Sequence, residues 1–466
     1  MLSYRFASKL IYQLNKDMKN LKNIFLLASF VGFVACSEEE PVIEYVTVTE
    51  TVVETVVETE TVEVEVLPET LTVGTDGGIT KLTGDNEWSN DQTIIIRGKV
   101  VVTDGATLTV EAGTIIKAGE GTLNDATALV VARGGKIYLN GTESEPIIMT
   151  DINDNISYDS PSTNRTSMDR GKWGGLIVLG KAKISNSTPE RAVEGILGIE
   201  GETWMNYGGD DNADDSGSIT YVSIRHSGIS VKPDEELQGL TLGGVGNGTT
   251  IENVEIVGSD DDGVEFFGGT VDVTNLLIWN HFDDGIDIDM AYSGTIKNAI
   301  VEYAADSDGA FEIDGAKVTT YEAQCTIDGL TVYGRYADEA ADSDQLGRIR
   351  ENIQIKILDA HYTGAKAEAS KLEGFELNDG SFTDGASSKS FGSDASGSED
   401  IIFADWYFNG TFEQATIVGK NTVNDASARD INTSFSDWAT IGTSPEADQG
   451  ADTSAFSWTW WASENL

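Results

Sequence analysis

The sequence predicts an all-β solenoid, a parallel β-helix, and a threefold repeat is the main observation behind that prediction. Residues 248–315 contain three equivalent segments, whose apolar runs begin 22 and 23 residues apart, at Asn253, Asn275 and Asn298. Each run closes with Asp-Gly, at Asp262, Asp284 and Asp308. Within each segment short β-branched runs alternate with polar residues, which is typical of strands and not of a helix. A period of this size without helices indicates stacked coils, one per repeat.

The rest of the chain keeps this rhythm, and we predict one β-helix domain over residues 71–466. Alternating apolar runs closed by Gly-containing turns begin in GKVVVTDGATLTVEAGTIIKAG and return in CTIDGLTVYG and NIQIKILDAHYTG. Residues 76–92 are expected to form an N-terminal cap. The tail SAFSWTWWASENL is expected to be a terminal strand that closes the last coil as a C-terminal cap. A sugar-stacking platform is the alternative interpretation of its Trp458, Trp460 and Trp461.

Two residue types have predicted structural roles inside the coils. The three aligned asparagines are expected to stack as an amide ladder. Cys325 has no partner for a disulfide, since the other cysteine, Cys36, is expected to be modified, and it should be a small buried apolar residue.

The composition restricts the class of partner. The 466 residues include 78 acidic and 30 basic side chains, a formal net charge of −48, with 50 Gly and only 7 Pro. Such a charge argues against nucleic acid or an anionic membrane surface as a partner. It is compatible with an extracellular surface and with divalent cations.

Residues 1–35 are predicted to be a lipoprotein signal peptide. The segment MKNLKNIFLLASFVGFVAC starts at Met18, which we predict to be the true start, and runs from lysines through an apolar stretch to Cys36. The residues before Cys36 resemble a bacterial lipobox, and acylation of this thiol would anchor the chain.

Residues 36–70 are predicted to form a lipid-anchored acidic linker rich in Val, Thr and Glu. It opens with an acidic run that resembles the surface-export signal of Bacteroidetes lipoproteins, and an ordinary linker is the alternative: Ser37, Glu38, Glu39 and Glu40. The β-branched residues disfavour a helix and the like charges disfavour collapse, so we predict an extended stalk. Strand pairing with a second copy is the other possibility. The predicted location is the outer membrane, with the domain facing the cell exterior.

Several phrases, including WGGLIVLGKA, ELQGLTLGGVGNGTTIENVEI and DDGVEFFGGTVDVTNLLIWNHFDDGIDIDMAYSG, resemble a Bacteroidetes family of secreted and lipid-anchored β-helix proteins. The resemblance covers most of residues 70–466. It implies a right-handed parallel β-helix of pectate-lyase-like architecture on the cell surface. It implies no established activity, because a fold does not determine a function.

The repeats would place many carboxylates on neighbouring coils, and the catalytic candidates lie among and beside them: Asp262, Asp284, Arg225, His226 and His281. A uronate lyase needs a basic side chain beside a cation. An inverting hydrolase needs two carboxyl groups about 6.5–9.5 Å apart. No Gly-His-Gly motif and no basic cluster accompany the acidic one. Asp-Gly turns in which Asp binds backbone amides are the alternative interpretation.

Crowded carboxylates either bind protons or demand a cation. Oxygen ligands in turns suit Ca²⁺, whereas three histidines and no paired thiols make Zn²⁺ a poor fit. We therefore expect Ca²⁺ at one of two sets: Asp261, Asp262, Asp283, Asp284 and Asp308, or Asp210, Asp211, Asp214 and Asp215. Solvated turn caps with sodium as a diffuse counterion are the alternative.

Three functions remain open after this reasoning. The preferred one is a surface-exposed, non-catalytic β-helix that binds a polysaccharide or mediates adhesion. A polysaccharide lyase or hydrolase acting on an acidic glycan is the second, and a structural cell-surface protein is the third.

Overall fold

The computed structural model describes these residues: 43–49, 59–65, 70–157, 162–196, 201–232, 235–304, 306–318, 320–334, 345–350, 353–363, 374–378, 390–410, 412–418, 434–444 and 448–466. They fall into two compact units, Met1–Pro68 and Glu69–Leu466. The predicted signal peptide, Cys36 and the export residues Ser37–Glu40 lie outside the described ranges. Within those ranges, no helix is both long and apolar enough to cross a bilayer.

The first unit contains a β-hairpin. Strands β1 (Ile43–Thr49) and β2 (Thr59–Glu65) pair antiparallel, with Ile43 opposite Glu65 and Thr49 opposite Thr59. This differs from the single extended chain that the sequence predicts. The alternating β-branched residues of both segments favour strands, and the chain satisfies that preference by pairing with itself.

The second unit is a parallel β-helix, as predicted, with three sheets, A, B and C, that each coil visits in that order. Its strands are β3 (Thr70–Leu82; A, B), β4 (Asp85–Trp88; C), β5 (Thr93–Val102; A, B), β6 (Thr107–Val110; C), β7 (Ile115–Ala118; A), β8 (Ala128–Val131; B), β9 (Lys136–Asn140; C), β10 (Ile147–Asp151; A) and β11 (Leu176–Leu179; B). Two short antiparallel pairs interrupt them: β12 (Arg191–Ala192) with β13 (Asn206–Tyr207), and β15 (Ile229–Lys232) with β16 (Glu235–Leu237).

The later coils merge sheets C and A into one bent strand. They are β14 (Gly217–Arg225; C, A), β17 (Leu240–Gly243; B), β18 (Thr250–Val257; C, A), β19 (Val264–Phe267; B), β20 (Val273–Trp279; C, A), β21 (Asp284–Asp289; B), β22 (Thr295–Glu302; C, A), β23 (Gly309–Asp314; B), β24 (Cys325–Tyr333; C, A), β25 (Gln345–Arg350; B), β26 (Ile355–Thr363; C, A), β27 (Gly374–Asn378; B), β28 (Phe391–Gly392; C), β29 (Ile401–Asn409; C, A) and β30 (Ala439–Gly442; A).

Aliphatic side chains fill the interior. In sheet A the parallel register stacks Val254, Leu276, Ala299 and Leu330, all of which are fully buried. Burial of one such side chain contributes about 1.5–3 kcal/mol, so the stack accounts for much of the driving force for folding. The free thiol of Cys325 is part of this core, as predicted, and burial raises its pKa to about 12.

The predicted amide ladder lies at the sharp corner between sheets C and A. Asn275 Nδ2 donates to Asn253 Oδ1 over 2.8 Å, and Asn298 Nδ2 donates to Asn275 Oδ1 over 2.6 Å. All three residues are left-handed, with φ of 57°, 57° and 60°. Asparagine tolerates this conformation, and its side chain bonds to the next coil, which explains its choice here. Later coils place Gly329, Asp359 and Asp405 at the same corner.

The ends differ from the predictions. Residues 76–92, predicted as a cap over the first coil, largely form that coil, through β3 and β4. At the other end, helix α1 (Gln414–Ile417) follows β29, and helix α2 (Phe435–Trp438) packs its Trp438 against Phe403 and Trp406 of β29. The structure adds a 3₁₀-helix at Leu123–Asp125.

The tail is a 3₁₀-helix (Thr453–Phe456) and helix α3 (Trp460–Asn465), so the prediction of a terminal strand is wrong. Trp461 packs beside Val257 and Ile300 on the outside of sheet A, within the threefold repeat of residues 248–315. The tail therefore covers the side of the solenoid instead of closing its last coil. The outer residues of sheet A are apolar here, and burying them stabilises this route.

Candidate functional site: a buried carboxylate cluster

The loops between sheets A and B carry the densest carboxylates of the described chain. In two successive coils these loops contain the Asp-Asp-Gly turns that end at Asp262 and Asp284. The backbone N–H of Asp284 donates to Asp262 Oδ1 over 2.9 Å, so one aspartate does act as a turn cap. Because the turns follow strands in register, the repeat stacks them one strand spacing apart, about 4.8 Å.

Sheet B adds a second row of carboxylates. In β19, Val264 and Phe266 point into the core, which directs Glu265 to the outer face by the alternation of a strand. Glu265 pairs in register with Asp287, which pairs with Glu312. The turns and this row meet at one edge of sheet B.

A long insertion covers that edge. Val193, Trp204 and Tyr207, from the segment between β11 and β14, pack with Phe267 and Met290 against the outer face of sheet B. The cover removes water from the carboxylates below it. As a result Asp262 and Glu265 are each only 5% exposed.

Polar groups of the preceding coil join the cover to the turns. Gln238, next to the short hairpin β15–β16, donates through Nε2 to Asp261 Oδ2 and to Glu194 Oε1, both over 3.3 Å. Thr241 Oγ1 holds the other end of this amide, at Gln238 Oε1, over 2.8 Å. A carboxylate from the insertion is thereby joined to the turn carboxylates.

Burial dominates the protonation of the cluster. It raises the pKa of Asp261, Asp262 and Glu265 well above their usual values. Neighbouring carboxylates raise these pKa values further, chiefly Asp283 for Asp261, Asp261 for Asp262 and Asp287 for Glu265. Burial likewise raises the pKa of Glu194 to about 7. At neutral pH the cluster must therefore retain protons or bind a cation.

Two groups of three carboxylates have oxygens that lie within 4.8 Å of one another: Asp262, Glu265 and Asp287, and Asp283, Asp284 and Asp308. In the first group Glu265 Oε2 is buried and has no hydrogen-bond partner. In the second, Asp308 Oδ2 accepts a short hydrogen bond from Arg348, whose other nitrogen lies 2.7 Å from Glu312. Arg348 thus already supplies a positive charge to the second group.

Three of the four aspartates in the predicted second metal set, in the loop at 210–215, accept hydrogen bonds within the loop or form an ion pair. Asp211 Oδ1 accepts from the backbone of Ala213 over 3.1 Å, and Asp215 pairs with Lys136 and accepts from the backbone N–H of Gly217. Asp214 Oδ2 accepts from Ser216 Oγ over 3.3 Å. Among the described residues these aspartates do not form a group able to share one ion. Their contacts match the turn-cap alternative.

Three of the predicted catalytic candidates are held in buried positions by hydrogen bonds or ring contacts. His226 Nδ1 lies 2.7 Å from Asp169 O, and His281 Nε2 lies 3.0 Å from Gly309 O. Burial lowers the pKa of His281 to about 4. The buried guanidinium of Arg225 lies under the ring of Trp460, 4.9 Å from its centroid. Asp262 and Asp284, the other two candidates, belong to the cluster.

Sequence reasoning missed Glu194, because it belongs to the cover and not to the repeat. It also missed Gln238, which lies one coil before Asp262 at the same position of the repeat, where the later coils have aspartate. Glu265 and Asp287 carried a signal, since they are the polar residues of the alternating phrases VEFF and IDID. A charged residue facing outward in a strand is ordinary, however, and only the insertion buries Glu265 and partly buries Asp287.

The chain belongs to the family described as the pectate-lyase-like β-helix domain, whose profile matches residues 78–460. Membership of this family indicates a carbohydrate-related role. No curated protein and no solved structure matches the chain.

Proposed function

We propose that this protein is a non-catalytic, cell-surface carbohydrate-binding β-helix that holds an acidic glycan through Ca²⁺ at the buried carboxylate cluster. The observation that carries this proposal is the group of Asp262, Glu265 and Asp287. Its oxygens lie within 4.8 Å of one another, which is compatible with Ca²⁺–oxygen distances of about 2.3–2.6 Å.

The net charge explains why a cation is needed for an acidic ligand. A chain with a formal charge of −48 repels a polyanionic glycan. A cation held by three carboxylates reverses the sign locally, and its remaining coordination positions can accept sugar carboxylate or hydroxyl oxygens. Asp287 is only half-buried, which leaves one side of the group open to such a ligand.

The basic side chains around the cluster support binding over catalysis. Arg170 pairs with Asp260 and Asp306, and Lys317 lies 2.9 Å from Asp289 and 3.1 Å from Asp314. A lyase base must accept a proton from the sugar, and a cation shared between two carboxylates is held in its protonated form.

A polysaccharide lyase is the second candidate, and Arg191 is the observation in its favour. This exposed arginine lies on β12 of the cover, and its charge opposes the effect of burial on the pKa of Glu194. It is therefore close to the cluster and would be the base of such an enzyme.

One experiment separates the two. The chain from Ser37 onward would be run in affinity gels that contain pectin or alginate, with CaCl₂ or with EDTA, and the same polymers would be followed for absorbance of unsaturated products. Retention that requires Ca²⁺ without new double bonds supports the proposal. Double bonds that vanish in Arg191→Ala support the lyase, and absence of both signals favours a structural protein.

A matched pair of variants assigns the retention to the cluster. Glu265→Gln should abolish it, whereas Glu252→Gln, at an exposed glutamate of sheet C, should leave it intact. Equal retention of both variants would contradict the proposed site.

The cellular location forms part of the same proposal. Acylation of Cys36 would anchor the chain in the outer membrane, and Ser37–Glu40 would direct it to the cell exterior, where the β-helix can meet a polymer.

A further inference from the structure

The C-terminal tail runs back across the coils. It then meets the loop after β9, which is far from it in sequence. Backbone N–H groups of Gly450, Ala451 and Asp452 donate to side chains of three successive coils: Asp359 Oδ1 over 2.8 Å, Thr331 Oγ1 over 2.8 Å and Asn298 Oδ1 over 2.6 Å. Further on, Ser457 Oγ donates to Glu143 Oε1 over 3.1 Å. The tail is therefore fixed by specific hydrogen bonds where it meets the loop after β9.

An open depression of about 460 Å³ lies at this meeting point, lined by Thr142, Glu143, Ser144, Ser457 and Trp458. This volume falls within the range of about 300–1,000 Å³ that is usual for small-molecule sites. Thr142 and Glu145 exchange backbone hydrogen bonds of 3.1 Å, which makes a rigid turn with Glu143 and Ser144 at its exposed tip. The polar wall of the depression is therefore preformed.

The aromatic wall is formed by Trp458, which contacts a tyrosine at the C–A corner. Trp458 is half-buried and meets the ring of Tyr221 edge-on, with centroids 5.5 Å apart. Tyr221 has φ of 51° at the C–A corner, where the next coils place Asn253, Asn275 and Asn298. The left-handed corner of this coil therefore carries an aromatic ring in place of asparagine, and that ring contacts Trp458.

We propose that this depression is a second, metal-independent saccharide site, which takes a neutral hexopyranose unit of an oligosaccharide. The indole of Trp458 offers a flat apolar surface to the C–H face of the sugar ring. The Glu143 carboxylate accepts hydrogen bonds from sugar hydroxyls, and the hydroxyls of Thr142, Ser144 and Ser457 can donate or accept. The negative charge of Glu143 disfavours uronates, which separates this site in ligand class from the carboxylate cluster.

The test uses the chain from Ser37 onward in EDTA, with glucose hexaoses of α-1,4 and β-1,4 linkage and mannose hexaose as probes. The chain has nine tryptophans, so the signal of Trp458 is obtained as the difference between the native protein and Trp458→Phe. We expect at least one probe to change this signal. Trp458→Ala and Glu143→Gln should each weaken binding at least tenfold, and Trp458→Phe should retain part of it.

Trp460→Phe is the matched control, because Trp460 lies two residues further along the tail, outside the lining of the depression, and should bind like the native protein. If Trp458→Ala fails to fold by circular dichroism, Glu143→Gln and Trp458→Phe carry the test. No binding of any probe in EDTA, or undiminished binding by Glu143→Gln, would overturn the proposal. Because the cluster requires a cation, failure of either site leaves the other result readable.

Discussion

Replacement of Glu265 by glutamine should change the stability of the protein in opposite directions with and without calcium. The substitution keeps the size of the side chain and removes one charge from a group whose oxygens lie within 4.8 Å of one another. Without a divalent cation, the loss of a repelling charge should stabilise the fold. With calcium, the loss of a ligand should cost the variant the stabilisation that the native protein gains.

The magnitude follows from the geometry. Two unit charges 4.8 Å apart, the greatest separation within the group, repel by about 3.5 kcal/mol at an effective dielectric constant of about 20 when both are ionised. Protonation reduces the real value, because burial raises the pKa of Glu265 well above its usual value of 4.5. We therefore expect Glu265→Gln to be more stable than the native protein by about 1–3 kcal/mol at pH 8 in EDTA.

The pH dependence has a defined sign. A carboxyl whose pKa is raised by folding binds more protons in the folded than in the unfolded state, so its contribution to stability is complete below the unfolded pKa and is lost as pH rises through the folded pKa. For Glu194 the pH range runs from 4.5 to about 7, and the free energy of unfolding should fall by on the order of 3 kcal/mol across it. The advantage of Glu265→Gln should accordingly be small at pH 4 and grow with pH.

Calcium should reverse the order. A ligand at one hundred times its Kd stabilises the folded state by about 2.7 kcal/mol, and the variant should gain little of this. The assay is urea unfolding of both proteins at pH 4, 6 and 8, in EDTA and in CaCl₂, with Glu252→Gln as the control for an exposed glutamate. Parallel curves for native protein and Glu265→Gln under every condition would refute the reasoning.

Three further outcomes are expected. Asn275→Ala should lower the free energy of unfolding by about 2–3 kcal/mol, since it removes two ladder hydrogen bonds and places alanine at φ of 57°. Asn275→Gly should lose only the contribution of the hydrogen bonds, because glycine tolerates this φ. Equal losses of the two variants in urea unfolding would contradict this. Trp461→Ala should lower the free energy of unfolding by about 3–5 kcal/mol or more, because Trp461 is 2% exposed and donates through its backbone N–H to Glu255 and through its indole to Glu302. Resistance of residues 450–466 to proteolysis in this variant would refute the role of Trp461 in holding the tail against sheet A. Cys36→Ser should move the protein from the membrane to the soluble fraction, and alanine at residues 38–40 should leave it lipidated but inaccessible to external protease.

The repeat could be predicted from the sequence because each corner of a β-helix depends on the conformational preferences of single residues. A left-handed corner accepts asparagine, glycine or aspartate, and Asn253, Asn275 and Asn298 satisfy it with the period of one coil. Parallel register then stacks whatever recurs with that period, so the ladder and the alignment of Asp262 with the next turn followed from spacing alone. The same reasoning failed for the tail, because its position depends on the apolar outer surface of sheet A, which no local rule specifies.

Only part of the candidate site could be predicted from the sequence. Asp262 and Asp284 are in phase with the repeat, and their proximity could be predicted. The burial of Glu265 depends on an insertion with no period, and the contribution of Glu194 depends on how that insertion folds back over sheet B. A carboxylate with the same local sequence on an uncovered strand would stay solvated and keep an ordinary pKa.

The sequence by itself therefore determined the fold class, the order of the coils, the ladder and the crowding of carboxylates, because each depends on residues one coil apart and on the hydrogen bonds of parallel strands. The tertiary structure alone decided which carboxylates are buried, which basic side chains are already paired with carboxylates, and where Trp458 lies beside Glu143. Those properties depend on contacts between segments up to 314 residues apart, where the packing of one surface on another sets the dielectric environment and the geometry.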